Sequence, residues 1–222
     1  VFVICPKTVC TKWKSVLELF GVSVLGIANY ESAVRGKMIN FRPYRSGPKR
    51  AAGLLREESV ECPYIVKVPA GNGRGVSFEF RLPGNALILF DELHRCKNIG
   101  SLNSKLSIAA RIFLNANPNA YGLGLTGTLA ESPIKTWGSG FFLGLYDSKN
   151  DYNSLIDRFG AGNSGYNSSR SFDRPNEFKN INICLFPRLG SRIAFRDIPG
   201  APDQSIAVEF IDPAEPLNSL HA

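Results

Sequence analysis

The chain has 222 residues, 44% hydrophobic and 20% charged, with 15 phenylalanines, a composition that supports a buried core and excludes a wholly disordered chain. Its longest apolar runs, such as Ala86 to Phe90, fall far short of the roughly 20 residues a bilayer crossing needs, so no membrane span or membrane partner is expected. The formal charge is +7, and residues 1–60 hold ten basic against four acidic residues, a field that attracts phosphate backbones or is simply a solvated basic face.

Val1 to Ile4 reads as a buried parallel strand stopped by Pro6. Because the sequence opens inside that strand without Met, both ends are expected to be cut, and targeting signals are not judged from it. Thr11 is the expected cap of a helix from about Lys12 to Phe20, with Trp13, Val16, Leu17 and Phe20 on one face. That face makes Trp13 a core residue rather than a stacking platform. Val22 to Ala28 reads as the next strand, and a short helix follows Tyr30 and ends at Gly36.

Phe41 to Arg50 is rich in Arg, Lys, Pro and Gly and predicts an exposed basic loop. Tyr64 to Val68 and Val76 to Arg81 predict a hairpin turning through Gly71 to Gly75. Residues 40–85 therefore read as an insertion, a basic loop plus a β-hairpin, on the main sheet. The glycine run is a turn rather than a phosphate cradle, since no GK[ST] follows it.

Ala86 to Phe90 reads as a continuous apolar strand tipped by Asp91-Glu92. Ser104 to Leu114 suits a helix with Leu106, Ala109, Ala110 and Phe113 inward. Tyr121 to Leu125 is a further strand, ending at Thr126-Gly127-Thr128. Pro133 starts a helix over Ile134 to Leu145, Tyr152 to Phe159 gives another, Gly160 to Ser171 a loop, and Ser205 to Phe210 a last strand. Strands alternating with helices predict an α/β fold, a mainly parallel sheet with helices on both faces.

The five cysteines, Cys5, Cys10, Cys62, Cys96 and Cys184, form no CxxC pair. With only His94 and His221 beside them, they support neither a zinc site nor a disulfide framework. Reduced thiols suit a cytoplasmic or nuclear compartment.

Ligands of open α/β sheets bind at the carboxyl ends of the strands, and two strands here end in polar groups. Asp91 and Glu92 face different ways because of the pleat. In a nucleotide hydrolase, one carboxylate of such a pair holds Mg²⁺ through water and the other acts on the attacking water. Asp91 suits the metal and Glu92 the base, although an acidic pair at a strand end also commonly caps a helix. Thr126, Gly127 and Thr128 follow the second strand, Thr126 standing thirty-five residues after Asp91. Their hydroxyls can bond the carboxylates or His94, or merely cap the next helix.

As an ordered set these stretches resemble the superfamily-two helicases, and within them the Swi/Snf-type ATPases. Val3-Ile4-Cys5-Pro6-Lys7 with Thr11-Lys12-Trp13, and Asn29-Tyr30-Glu31, are similar to the family's two backbone-contacting motifs. Asp91-Glu92-Leu93-His94-Arg95-Cys96-Lys97-Asn98 is similar to its DEXH acidic box, and Leu125-Thr126-Gly127-Thr128-Leu129 to its coupling motif. Trp137 with Phe141-Phe142-Leu143, Tyr152 to Gly160, and the basic run Arg188 to Arg192 resemble later family segments. The resemblance implies that residues 1–222 form part of a RecA-like, ATP-binding helicase lobe in the P-loop NTPase fold class. ATP and Mg²⁺ would be its cofactors, and nucleic acid, double-stranded DNA above all, and a second helicase lobe its partners. It implies Asp91 and Glu92 as catalytic residues, with His94, Thr126, Gly127 and Thr128 coupling nucleotide state to a nucleic-acid groove. Lys7, Thr8, Lys12, Asn29 and Tyr30 would contact nucleic acid, and a viral or phage source would fit the divergence. No G-x-x-x-x-G-K-[ST] occurs in the sequence, so a Walker A loop is missing and this stretch alone is expected to be nearly inactive. The competing expectations are a catalytically degenerate DNA-binding or assembly module, and a metal-dependent nuclease using Asp91 and Glu92.

Overall fold

A computed structural model describes residues 1–71, 75–127, 133–158, 162–163, 170–171 and 189–190. The chain divides into two compact units, Val1–Leu189 and Gly190–Ala222. The centre of the first unit is a sheet of four strands, β1 (Phe2–Cys5), β2 (Gly26–Asn29), β7 (Leu87–Asp91) and β8 (Tyr121–Leu125). The sheet is fully parallel, in the order β2-β1-β7-β8.

Period-two alternation sorts the sheet's side chains between two cores. Phe2, Ile4, Ala28, Ile88 and Phe90 face one side, where α4 (Leu102–Ala116) packs through Leu106, Ala109, Ala110 and Phe113. Val3, Cys5, Ile27 and Leu89 face the other, against Cys10 and Leu17 of α1 (Cys10–Leu19). Helices thus cover both faces of a parallel sheet, as the strand–helix alternation predicts. Ser101 caps α4, its hydroxyl accepting from the Ser104 amide at 3.1 Å. Beyond β8, α5 (Trp137–Leu143) sets Phe142 against Phe90 with ring centroids 4.8 Å apart. A separate aromatic cluster joins Trp137, Phe141 and Tyr146 to Tyr152 of α6 (Lys149–Arg158).

Between α2 (Tyr30–Ala33) and β7 the chain makes two antiparallel hairpins. The second, β5 (Ile65–Pro69) with β6 (Val76–Phe80), matches its sequence expectation; residues 72–74 of its turn lie outside the described set. The first keeps the expected basic segment exposed from Arg42 to Arg50, apart from half-buried Tyr44, but makes it the connection of a hairpin, with Phe41 to Pro43 in its first strand. β3 (Lys37–Pro43) pairs with β4 (Leu55–Glu61) over seven residues, and α3 (Pro48–Ala51) sits in the connection. Ile39 and Phe41 fall on one face of β3 and pack on the α1 side of the sheet, which is why the segment is extended there.

Three further expectations change. Thr11 does not cap α1: Val9 holds that position, and the Thr11 hydroxyl instead donates to Glu57 Oε1 at 2.9 Å. Val16 and Phe20 are exposed, leaving Leu17 and half-buried Trp13 as the apolar face of the helix. The second strand begins only at Gly26, because Val22 to Leu25 pass round the turn after α1. The expected strand at Ser205 to Phe210, the basic run Arg188 to Arg192 (apart from Leu189 and Gly190) and most of the loop from Gly160 to Ser171 lie outside the described residues.

Candidate active site at the tips of β7 and β8

β7 and β8 are neighbours in register, Asp91 opposite Leu125, so the acidic tip and the hydroxyl tip emerge side by side. Such parallel alignment needs close packing on one face of β8. A β-carbon built on Gly124 would lie 2.5 Å from Leu93 Cδ2, and one on Gly122 2.6 Å from Leu114 Cδ1. The two glycines therefore let β8 seat against the 3₁₀ turn Leu93–Cys96 and α4.

Glu92 is the one described non-glycine residue with positive φ, at 59° with ψ 52°. A left-handed glutamate costs on the order of 1–2 kcal/mol and persists only where its surroundings impose it. Here the imposing group is Tyr30, 1% exposed, whose phenol donates to the carbonyl oxygens of Asp91 at 2.8 Å and Glu92 at 3.2 Å. Burial pushes the Tyr30 phenol far above its ordinary value, keeping it a neutral donor. The Arg95 guanidinium covers the same ring at 5.4 Å and reaches Glu31 at 3.4 Å.

The strained turn aims the Glu92 carboxylate at His94. His94 Nδ1 lies 3.1 Å from Glu92 Oε2 and 3.1 Å from Thr126 Oγ1. A carboxylate only accepts, so this geometry is satisfied with the proton on Nδ1, shared between the carboxylate and the threonine oxygen. Both side chains are partly exposed, 43% for Glu92 and 33% for His94, which leaves the cluster open to solvent and to a ligand.

Asp91 points elsewhere. Its Oδ2 accepts the indole N–H of Trp13 at 2.8 Å, and with Val9, Lys12, Trp13 and Val16 it lines a cavity of about 190 Å³. That volume is below the roughly 300 Å³ at which ligand pockets begin, so these residues form one wall rather than a closed nucleotide pocket. Lys12 brings a cation to this wall. Among the described residues no three His, Cys, Asp or Glu side chains group to hold a metal ion.

Lys7, Thr8 and Lys12 lie exposed around the start of α1. Asn29 and Tyr30 do not join them at the surface. Asn29 is 4% exposed and caps α2 by accepting from the Ser32 amide at 2.8 Å, and Tyr30 is committed to β7. Both side chains have structural roles beneath the acidic tip. Gly127 is exposed beyond β8, whereas Thr128 lies outside the described residues. Sequence reasoning misses Trp13 as a site residue because its helical face reads as core. Only the fold, 78 positions later in sequence, supplies its carboxylate partner.

Beside Asp91, the buried thiols of Cys5 and Cys10 stand 3.6 Å apart, and Cys62 and Cys96 are likewise buried and free. Among the described residues no helix is long and apolar enough to cross a membrane.

Over 116 residues, 52% of its length, the chain is 36% identical to a protein of Acanthamoeba polyphaga mimivirus named "Putative ATP-dependent RNA helicase". The matched stretch is 19% of that protein, so the chain spans about a fifth of the relative's length. No protein-family model matches the chain, and no solved structure matches it. The likeness is to a helicase-like protein and carries no Swi/Snf subtype.

Proposed function

We propose that this chain is the first, ATP-binding lobe of a helicase-like ATPase that couples Mg-ATP hydrolysis to movement on nucleic acid. The observation that carries the reading is the convergence of Glu92, His94 and Thr126 on one imidazole nitrogen at the adjoining tips of β7 and β8. The sheet order adds support. The chain runs from β1 outward to β2, then crosses to β7 on the other side of β1, so a topological switch point lies between Cys5 and Asp91. Crevices at such points are where open α/β sheets take their ligands.

In this reading Asp91 would hold Mg²⁺, through water. The donor set fits, because Mg²⁺ keeps several waters and takes one or two carboxylates together with phosphate oxygens, rather than a cage of protein ligands. The ion would neutralise charge on the phosphates. Glu92 accepts a proton from the attacking water, and its left-handed backbone fixes where that carboxylate stands. His94 and Thr126 join the base to the end of β8, so a shift of either strand tip is felt at the other. Gly127 and Thr128 belong to the same coupling segment. Lys7, Thr8 and Lys12 bind phosphates, which positions nucleic acid without reading its sequence. Completing the ATP site takes a phosphate-binding loop, which this sequence lacks, and a second lobe.

The relative's name specifies RNA, whereas the Swi/Snf-like sequence pattern favours translocation on duplex DNA. ATP turnover by the natural protein carrying this lobe, with duplex DNA or RNA added, tests both. Glu92→Gln is expected to lower stimulated turnover by about 100-fold or more while ATP binding is retained. An unchanged rate in that variant defeats the proposal. Cleavage of nucleic acid lost with Glu92 would point to a nuclease, and nucleic-acid binding with no turnover in either form to a degenerate module.

A further inference from the structure

Charge is sorted along the β3–β4 hairpin, whose connection is exposed at nearly every residue from Arg42 to Leu54. From Arg42 to Arg56 the sequence holds five basic residues, Arg42, Arg45, Lys49, Arg50 and Arg56, and no acidic one. The acids Glu61, Glu58 and Glu57 all pair before the Arg42–Arg56 position, opposite Lys37, Asn40 and Phe41. Glu58 pairs with Arg42 at 3.3 Å and Arg56 at 3.7 Å, partly neutralising those two. Arg45, Lys49 and Arg50 are exposed and have no acidic partner among the described residues. Lys49 lies over the ring of Tyr44 at 5.1 Å, and Arg50 donates to the Arg45 carbonyl at 3.0 Å, so two of the three cations are anchored by local contacts.

The root of this tip is fixed against α1. Thr11 bonds Glu57, and Lys14 lies 5.9 Å from the Phe41 ring centroid. Arg42 and Arg56, opposite each other in register, come one residue further out. The tip therefore continues outward from the helix that carries Lys12 and follows Lys7 and Thr8.

We infer that the tip of the β3–β4 hairpin is a second phosphate-backbone contact for nucleic acid, extending the surface begun by Lys7, Thr8 and Lys12. It rests on the nucleic-acid reading above and names residues that reading does not use. Three exposed cations without acidic partners on a hairpin connection suit an extended polyanion better than a small anion, which needs a concave, converging site. The absence of acids over fifteen consecutive residues keeps the local field of one sign. An anionic membrane is the less favoured partner, because Leu54, 51% exposed, is the one exposed large apolar side chain between Arg42 and Arg56.

The test uses the full chain and fluorescently labelled duplex DNA and duplex RNA, with affinity read by anisotropy across a salt series. Lys49→Glu with Arg50→Glu is compared with a charge-matched control, Lys67→Glu with Lys149→Glu, on exposed residues of β5 and α6. The tip variant is expected to bind on the order of tenfold more weakly and to flatten the log–log salt slope by roughly 2, while the control changes neither as much. Equal affinity and slope in the two variants overturns the inference. If Lys7→Ala with Lys12→Ala weakens binding and the tip variant does not, the tip fails and the proposed function stands. If neither weakens binding, or the unmodified chain binds no duplex, both fail. Tip-dependent binding to phosphatidylserine vesicles without duplex binding would assign the tip to a membrane and overturn it as well.

Discussion

The indole N–H of Trp13 donates to Asp91 Oδ2 at 2.8 Å, tying α1 to the end of β7 on the same side of the sheet as the cavity. A hydrogen bond to a carboxylate contributes more than one between neutral groups, and here it also fixes which oxygen of Asp91 remains for a ligand. Trp13→Phe keeps most of the ring packing and removes only the donor. The expected cost is about 1–2 kcal/mol in urea unfolding. In a double-mutant cycle with Asp91→Ala, which removes the acceptor, the two effects should be non-additive. Additive costs would mean the bond contributes nothing.

The backbone at Glu92 gives a prediction of opposite sign. A left-handed residue without a β-carbon escapes the steric penalty, so Glu92→Gly is expected to raise stability by up to about 1 kcal/mol. The lost contact to His94 subtracts little, since both groups are partly exposed. Tyr30→Phe should act the other way and lower stability by about 1–2 kcal/mol, because the carbonyls of Asp91 and Glu92 lose a shared donor inside the protein. Midpoints of urea denaturation for the two variants, moving in opposite directions, check the claim that Tyr30 holds a strained turn. A midpoint lowered by Glu92→Gly counts against it.

How far the sequence reaches is clear from particular residues. β1, β7, β8 and the inward face of α4 were legible because each is a local pattern, either an unbroken apolar run or a 3.6-residue repeat. The β3–β4 pairing was not, because Phe41 and Ile39 gain their burial from a sheet and a helix assembled elsewhere in the chain. Over the same residues, the arginines and prolines dominate the local signal. The meeting of Glu92, His94 and Thr126 was legible because they lie at two strand ends, whereas the turn of Asp91 toward Trp13 was not. The burial of Asn29 and Tyr30 was not, because the partners of Tyr30 come 61 and 62 positions later.

Gly124 makes a sharper test of packing beneath the site. A methyl group there meets Leu93, which is fully buried between α4 and β8 and is flanked in sequence by Glu92 and His94. Gly124→Ala is expected to cost about 1–3 kcal/mol, the usual penalty for overfilling a packed core. The strain should also reach the neighbouring imidazole. The His94 side-chain resonances in NMR spectra should shift more in Gly124→Ala than in Gly127→Ala, where no heavy atom lies within 4 Å. Equal shifts would show that Leu93 does not transmit the change.

Burial sets the alkaline limit of the fold. The Cys96 thiol, fully buried, is pushed from its ordinary value of 9.0 up to about 12, and desolvation also raises Cys62 and Tyr30. In each case the folded state favours the neutral form, so the folded pKa lies above the unfolded one. The resulting stabilisation is full below the unfolded values, 9.0 for cysteine and 10.0 for tyrosine, and is lost as pH rises from there toward the folded values. Urea midpoints should therefore hold level from pH 7 to about 8.5 and fall steadily above pH 9. Within the level range, Cys96 should resist alkylation in the native protein and react once denaturant is added, because the thiolate is the reacting species and burial suppresses it. Rapid native labelling of Cys96 at pH 8, identified by peptide mapping, would contradict its place in the core beneath the acidic tip.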